Sequence, residues 1–139
     1  MTEAASFPTV EELQAHDLFR TDAFVAGNWV EAKDGERFDV NDPATGNVIA
    51  AVASCTVDDV NHAISAANDA WGEWRDRTGK ERAQVLRKWF DLMVANQRIL
   101  AGLMSLEQGK SFAESSTEVA YGASFIEWFG EEAKRLDGS

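Results

Sequence analysis

The spacing of apolar residues changes near residue 56 and divides the chain into a strand-rich part and a helical part. Gly27-Asn28 is typical of a tight hairpin turn, because both residue types accept positive φ angles. Asp42, Pro43 and Gly46 favour a second turn, since each is a common turn former. The pattern predicts short strands, joined in one small antiparallel sheet, at residues 24–26, 29–30, 38–40 and 48–52.

After residue 56 the apolar residues recur at helical spacing and predict about four helices. Thr56 is a candidate N-cap for the first of these helices, which is expected to end near Gly72. Capping boxes that begin at Thr78 and Ser111 open the second and fourth helices. The third helix is shorter and ends near Gly109. A further short helix is expected over residues 9–17, and the last helix is expected to reach residue 135.

The last helix has apolar residues on two sides. One face contains Val119, Gly122, Ile126 and Phe129, and the other contains Tyr121, Phe125 and Trp128. A helix that is apolar on two sides needs a neighbour on each. The other predicted elements cover one side, so the second side indicates a missing partner surface or a cavity.

Composition excludes several classes of function. The chain has 139 residues and a net charge of −11, which disfavours binding to nucleic acids and to anionic membranes. Its apolar runs are too short for a membrane-spanning helix. No basic residue precedes Arg20, so a secretory signal is not expected and the predicted location is cytoplasmic.

Common catalytic signatures are absent from the sequence. It contains no Gly-x-Gly-x-x-Gly turn, phosphate loop, metal-ligand cluster or nucleophile elbow. Cys55 is the only cysteine, and we interpret it as a buried or half-buried structural thiol. His16 and His62 are isolated and are interpreted as structural or solvated. We therefore predict no catalytic residue and no cofactor-binding residue within this chain.

Six motifs, in order along the chain, resemble those of the aldehyde dehydrogenase family. The most specific is Leu-Glu-Gln-Gly-Lys at residues 106–110. The other five are a hairpin, a turn, a strand and two helices, at residues 25–30, 40–46, 48–52, 58–74 and 80–87. Two stretches, residues 17–20 and 121–135, are similar to succinate-semialdehyde dehydrogenases. Asp42 and Ser111 depart from the usual residues of the family, but both suit the local turn or helix start.

The resemblance implies an α/β fold for the intact family, of which this chain is an α+β part with a small antiparallel sheet and about four helices. Residues 1–20 are expected to form an N-terminal arm. Residues 21–139 are expected to belong to the cofactor-binding and oligomerization region. In the family a cysteine thiolate attacks the aldehyde and hydride passes to NAD or NADP. The residues for these steps are expected downstream, so the chain alone is predicted to bind no cofactor and to be inactive.

The resemblance also implies two groups of site residues. Tyr121, Phe125 and Trp128 correspond in position to the lining of a substrate channel. Packing against the rest of the enzyme is the alternative role for these three side chains. A second group resembles positions of a monovalent-cation site, although we favour the interpretation without an ion, since a turn and a helix end need none. This group contains Val40, Asn41 and Glu107.

Three functional hypotheses follow. The first is that the chain is the N-terminal portion of an aldehyde dehydrogenase that oxidises succinate semialdehyde to succinate. The missing C-terminal portion, and further copies in a homo-oligomer, would then be its partners. The second is a non-catalytic interaction module that uses the aromatic helix over residues 112–135. The third is a small free-standing enzyme with carboxylate chemistry.

Overall fold

The structure, a computed structural model, describes residues 6–135 and confirms the expected α+β class. Within these residues it contains five helices and four short strands. The helices are α1 (Val10–Gln14), α2 (Val57–Asp76), α3 (Gly79–Ala95), α4 (Gln97–Gln108) and α5 (Phe112–Glu132). The strands are β1 (Ala23–Val25), β2 (Asn28–Val30), β3 (Arg37–Asn41) and β4 (Val48–Ala53). Residues 20–76 form one compact unit, and residues 6–19 together with residues 77–135 form the other.

The strands form two separate antiparallel hairpins, whereas the sequence predicted one sheet. β1 pairs with β2, and β3 pairs with β4. In the segment between β2 and β3, the Lys33 backbone N–H donates to the Asp59 carboxylate of α2 at 3.3 Å and not to a strand. Gly35 N–H donates to the Ala32 carbonyl at 2.8 Å, and this turn separates the two hairpins.

The turn of the first hairpin lies one residue earlier than predicted. Ala26 and Gly27 have φ angles of 50° and 83°, and Asn28 already belongs to β2. A two-residue hairpin turn of this kind needs two positive φ angles, and here Ala26 adopts one of them. The Asn28 side-chain amide donates to the Ala26 carbonyl at 3.1 Å and supports the turn.

Helix α2 carries its predicted apolar stripe without burying it. No residue of α2 is buried, and Val57, Ile64 and Trp71 are each more than half exposed. The helix also continues past Gly72 to Asp76, because an internal glycine weakens a helix without ending it. The exposed stripe has no cover among the described residues of its own unit.

The helical unit is built around α5, which packs against α3 and α4. Small side chains make these contacts close: Ala83 and Ala123 are almost fully buried, and so is Ser115. The Ser105 hydroxyl donates to the Ser115 hydroxyl at 2.8 Å within this interface. α5 ends at Glu132, whereas the sequence predicted that it would reach residue 135.

Two further observations concern the described residues. No helix among residues 6–135 has the length and apolar character needed to span a membrane. Cys55 is exposed, so the interpretation as a buried or half-buried thiol was wrong. The residue follows the end of β4 and precedes α2, in a connection that places its side chain at the surface.

Capping boxes open α1, α3 and α5, and those of α3 and α5 were predicted from the sequence. In α3 the Thr78 hydroxyl accepts from the Glu81 backbone N–H at 3.3 Å. The Glu81 carboxylate in turn accepts from the Thr78 backbone N–H at 2.8 Å and from its hydroxyl at 2.7 Å. These bonds, led by that from the Thr78 hydroxyl, lower the pKa of Glu81 below its ordinary value of 4.5.

We expect Thr78→Ala to lower the free energy of unfolding near neutral pH by about 1 kcal/mol, since it removes an N-cap. A carboxyl whose pKa is lower in the folded state stabilises the protein above its unfolded pKa and loses this effect as pH falls through the folded pKa. The loss of stability below pH 4.5 should therefore be shallower in Thr78→Ala. Urea titrations across this pH range measure both effects. Thr78→Ser keeps the hydroxyl, and equal losses in the two variants would contradict the assignment.

Candidate functional site

The candidate site is the face of α5 that points away from α3 and α4. The opposite, packed face holds Ser115, Val119, Ala123 and Gly130, all of which are buried. On the open face Tyr121, Trp128 and Phe129 are 64%, 63% and 59% exposed, and Phe125 is 45% exposed. We call these four exposed residues the aromatic face. It contains all three predicted channel residues together with Phe129.

The predicted position of Phe129 was wrong. Phe129 was predicted to lie on one face with Val119 and Ile126, but its side chain lies with Tyr121 and Phe125. Phe129 lies four positions after Phe125, so helical spacing allows it on this side, but it also lies three positions after Ile126. Spacing therefore leaves both faces open to Phe129, and the packing of α5 on α3 and α4 decides between them.

The aromatic face forms one side of an open groove with a volume of about 850 Å³. The Tyr121 and Phe125 rings meet edge to face, with centroids 4.7 Å apart. This is a favourable geometry for aromatic pairs, so the two rings support each other's position. The remaining groove residues are Arg87, Ser124, Glu127, Glu131, Glu132 and Arg135.

Ion pairs surround the aromatic face. Arg87 of α3 contacts Glu127 of α5, with Nη1 and Oε1 at 3.0 Å, and also contacts Asp91 at 3.3 Å. The Arg87 guanidinium lies over the Phe90 ring at 5.0 Å, which further fixes its direction. This pair could not be predicted from the sequence, because Arg87 and Glu127 are forty positions apart. The Arg87 contacts join α3 to α5 beside the groove.

The charges at the end of α5 are likewise paired. Lys134 Nζ lies 2.8 Å from the Glu131 carboxylate, and the bond to Lys134 lowers the pKa of Glu131. Arg135 contacts Glu132 at 3.1 Å. The groove thus combines an apolar wall with paired charges, and such a surface suits an aliphatic chain or an apolar protein neighbour.

The groove residues provide no arrangement for nucleophilic catalysis. The Ser124 hydroxyl donates to the Tyr121 carbonyl at 2.7 Å, and no histidine lies among the residues that line the groove. Cys55 belongs to the other unit. The groove can bind and orient a ligand, but its own side chains supply no activated nucleophile.

The three residues of the suggested cation site are divided between the two units. Val40 and Asn41 end β3, where the pairing with β4 shifts register. The Asn41 side-chain amide donates to the Gly46 carbonyl at 3.1 Å, so its side chain has a role in the turn. Glu107 is an exposed residue near the end of α4. Within residues 6–135 no three His, Cys, Asp or Glu side chains cluster as metal ligands do.

Comparison with known proteins decides the family. The profile of the aldehyde dehydrogenase family matches residues 29–139. This chain belongs to the aldehyde dehydrogenase family. A glutarate-semialdehyde dehydrogenase of Pseudomonas aeruginosa is 52% identical over 127 residues, which cover 91% of this chain and 26% of that protein. The NADP(+) succinate-semialdehyde dehydrogenase of Escherichia coli is 49% identical over the same coverage.

The fold comparison agrees with the family assignment. The crystal structure of an NADP-dependent enzyme of Escherichia coli superposes with a TM-score of 0.86 at 50% sequence identity. The match covers 88% of this aldehyde dehydrogenase chain and 26% of that one. The chain thus spans about a quarter of the length of the relatives that it matches.

Proposed function

We propose that this chain supplies the amino-terminal part of an NAD(P)-dependent aldehyde dehydrogenase that oxidises an acid semialdehyde. The observation that carries the proposal is its identity of 52% and 49% to two semialdehyde dehydrogenases over 127 residues. The chain spans 26% of each, so we assign the catalytic thiol and the dinucleotide site to the remaining part of such an enzyme.

The described residues do not by themselves fit a nicotinamide dinucleotide. Both sheets are antiparallel hairpins, and none of the described strands leads through a glycine-rich turn into a helix as dinucleotide-binding units require. We therefore derive no hydride-transfer step from these residues. The choice between NAD and NADP likewise belongs to residues outside this chain.

The contribution proposed for this chain is substrate access. The aromatic face lies open, and its rings can contact the methylene chain of an aldehyde while excluding water from it. Paired charges beside it, such as Arg87 with Glu127, hold α5 on α3 and so keep the rings in place. Packing of the same face against the remainder of the enzyme is the competing role.

Succinate semialdehyde is the first substrate candidate, and glutarate semialdehyde is the second. The first follows from the motifs of residues 121–135, and the second is favoured by the 52% identical relative. The two compounds differ by one methylene, which distinguishes substrates by about 10- to 200-fold in enzymes with a fitted apolar pocket. A single set of kinetic measurements therefore separates them.

We expect the enzyme expressed from the complete reading frame that contains this chain to reduce NAD or NADP with both semialdehydes. Its kcat/KM should be highest for succinate semialdehyde and lowest for butanal, a neutral aldehyde of the same carbon number. Absorbance of the reduced nicotinamide measures each rate. Equal kcat/KM for butanal and for succinate semialdehyde would contradict the assigned substrate class, and absence of oxidation would contradict the proposed reaction.

Three further assignments accompany the proposal. We propose a cytoplasmic homo-oligomer, and we keep Val40, Asn41 and Glu107 as a predicted monovalent-cation site in the complete enzyme. The alternative of a non-catalytic interaction module rests on the exposed aromatic face alone. An activity assay of the enzyme from the complete reading frame distinguishes this module from the proposed dehydrogenase, since a module self-associates or captures a partner and the complete protein would then oxidise no aldehyde.

A further inference from the structure

Residues 6–14 lie against α4 of the same unit, and we call this segment the strap. Pro8 is buried, and Leu13 of α1 has no exposed surface. Both side chains press onto Gly102 of α4. A Cβ atom at Gly102 would lie 2.4 Å from Pro8 Cγ and 3.0 Å from Leu13 Cδ2. Such distances are far below van der Waals contact, so the strap reaches this position only because residue 102 has no side chain.

Polar contacts from α4 hold the strap at its two ends. Arg98 Nε donates to the Ser6 carbonyl at 3.1 Å. Its two Nη atoms donate to the Glu12 carboxylate at 2.6 Å and 3.0 Å, a bidentate pair that lowers the pKa of Glu12. Bidentate pairing fixes direction as well as distance, so Arg98 sets the orientation of the strap on α4.

The start of α5 completes the docking surface. The Phe7 and Phe112 rings meet edge to face, with centroids 5.6 Å apart and planes at 89°. Phe112 is the first residue of α5, and Gly102 and Arg98 belong to α4. The strap therefore bridges the two helices across the turn that joins them.

The length of α1 shows that the strap depends on this docking. An α-helix of five residues is far shorter than the roughly 12 residues that make an isolated helix marginally stable in water. Its capping box satisfies two backbone groups but does not overcome the cost of helix nucleation. The family profile matches residues 29–139. The strap lies before this range, whereas its docking surface lies within it.

We propose that Arg98, Gly102 and Phe112 form a docking surface for the chain's own strap, which fixes the junction between α4 and α5. The occupant is the segment from Ser6 to residue 14 of the same molecule, because its side chains fill the surface in this structure. The proposal is independent of the substrate assignment, since it concerns contacts within one unit.

Hydrogen–deuterium exchange of the full chain tests the docking. The Leu13 and Ala15 amides donate to the Thr9 and Glu11 carbonyls at 3.0 Å, so they should exchange slowly while the strap is docked. Gly102→Ala should raise their exchange rates by about tenfold or more, since overpacking displaces the strap. The amides of α4 should stay protected, because alanine is a better helix former than glycine. Unchanged exchange at Leu13 in this variant would overturn the proposal.

A matched control and a charge reversal at Arg98 separate docking from general instability. Gly122→Ala is the control, because a Cβ there would meet only Met93 Cε at 3.9 Å, and it should leave strap exchange unchanged. Arg98→Glu should release the strap, because it places a second carboxylate beside Glu12, whereas Arg98→Lys keeps the positive charge and should retain more of the strap's protection. If Gly102→Ala unfolds α4, unchanged strap exchange in Arg98→Glu overturns the proposal. Protection that increases with chain concentration would also overturn it, since the strap of a second copy would then fill the surface.

Discussion

Gly79→Ala should destabilise the helical unit by about 1–3 kcal/mol, the usual range for overpacking a closely packed site. Gly79 is the first residue of α3 and lies against the end of α5. A Cβ at this position would be 2.3 Å from the Ala133 carbonyl oxygen and 3.3 Å from its carbonyl carbon. Both are backbone atoms, so a change of side-chain rotamer cannot relieve the contact.

The higher helix propensity of alanine opposes this destabilisation, but its effect on stability is smaller. Replacing glycine by alanine within a helix is favourable by about 1 kcal/mol, and less at a helix end. The end of α5 cannot easily move away, because Gly130 packs on Leu86 of α3, with a potential Cβ contact of 3.4 Å. The Arg87–Glu127 pair also joins the two helices. The net effect of the substitution should therefore be a loss of stability.

Urea denaturation followed by far-ultraviolet circular dichroism measures this loss. Gly122→Ala is the matched control, because its new Cβ has space beside Met93 Cε at 3.9 Å and should stabilise the same unit slightly. A lower midpoint for Gly79→Ala with a higher midpoint for Gly122→Ala is the expected pattern. If both glycine substitutions raise the midpoint, the close approach of α3 to α5 is wrong.

Local signals predicted the helix starts well. Thr78 and Ser111 were identified as N-caps because the capping box involves residues only three positions apart. Gly109 was expected at the end of α4, and its φ angle of 70° shows the left-handed conformation common at helix ends. Such signals are contained in a few neighbouring residues, so they do not depend on the rest of the fold.

Contacts between distant residues could not be predicted in the same way. The sequence contains the apolar stripe of α2, but it does not say whether another element covers Ile64 and Trp71. Likewise, helical spacing does not show that Gly102 receives Pro8, because this contact depends on the path of the chain. The same holds for Arg98 and Glu12, which are 86 positions apart.

The candidate site could be predicted only in part, because one component lies on a single helix and the other depends on packing between helices. Tyr121, Phe125 and Trp128 share one helix, so their common face follows from the helical period. The groove also needs Arg87 from α3, and only the packing of α3 on α5 brings it there. Whether the aromatic face binds a substrate or packs against the remaining enzyme is a separate question, and substitution separates the two.

In the enzyme from the complete reading frame, Trp128→Ala should lower kcat/KM for succinate semialdehyde by about 10- to 100-fold if the aromatic face lines the substrate channel. Trp128 is 63% exposed, so the described residues lose little packing when it is truncated. The free energy of unfolding should then remain close to that of the parent enzyme. Trp128→Phe should restore most of the activity, because it returns an aromatic ring to the groove.

The competing role gives the opposite pattern. If Trp128 packs against the rest of the enzyme, its truncation removes a buried aromatic side chain and costs about 3–5 kcal/mol of stability. The kcat/KM of the molecules that remain folded should then be unchanged. Trp89→Ala is the matched control, because Trp89 is a 53% exposed tryptophan of α3 that does not line the groove. A loss of kcat/KM confined to Trp128→Ala, with stability retained, assigns the aromatic face to the substrate, whereas a loss of stability alone assigns it to the protein interior.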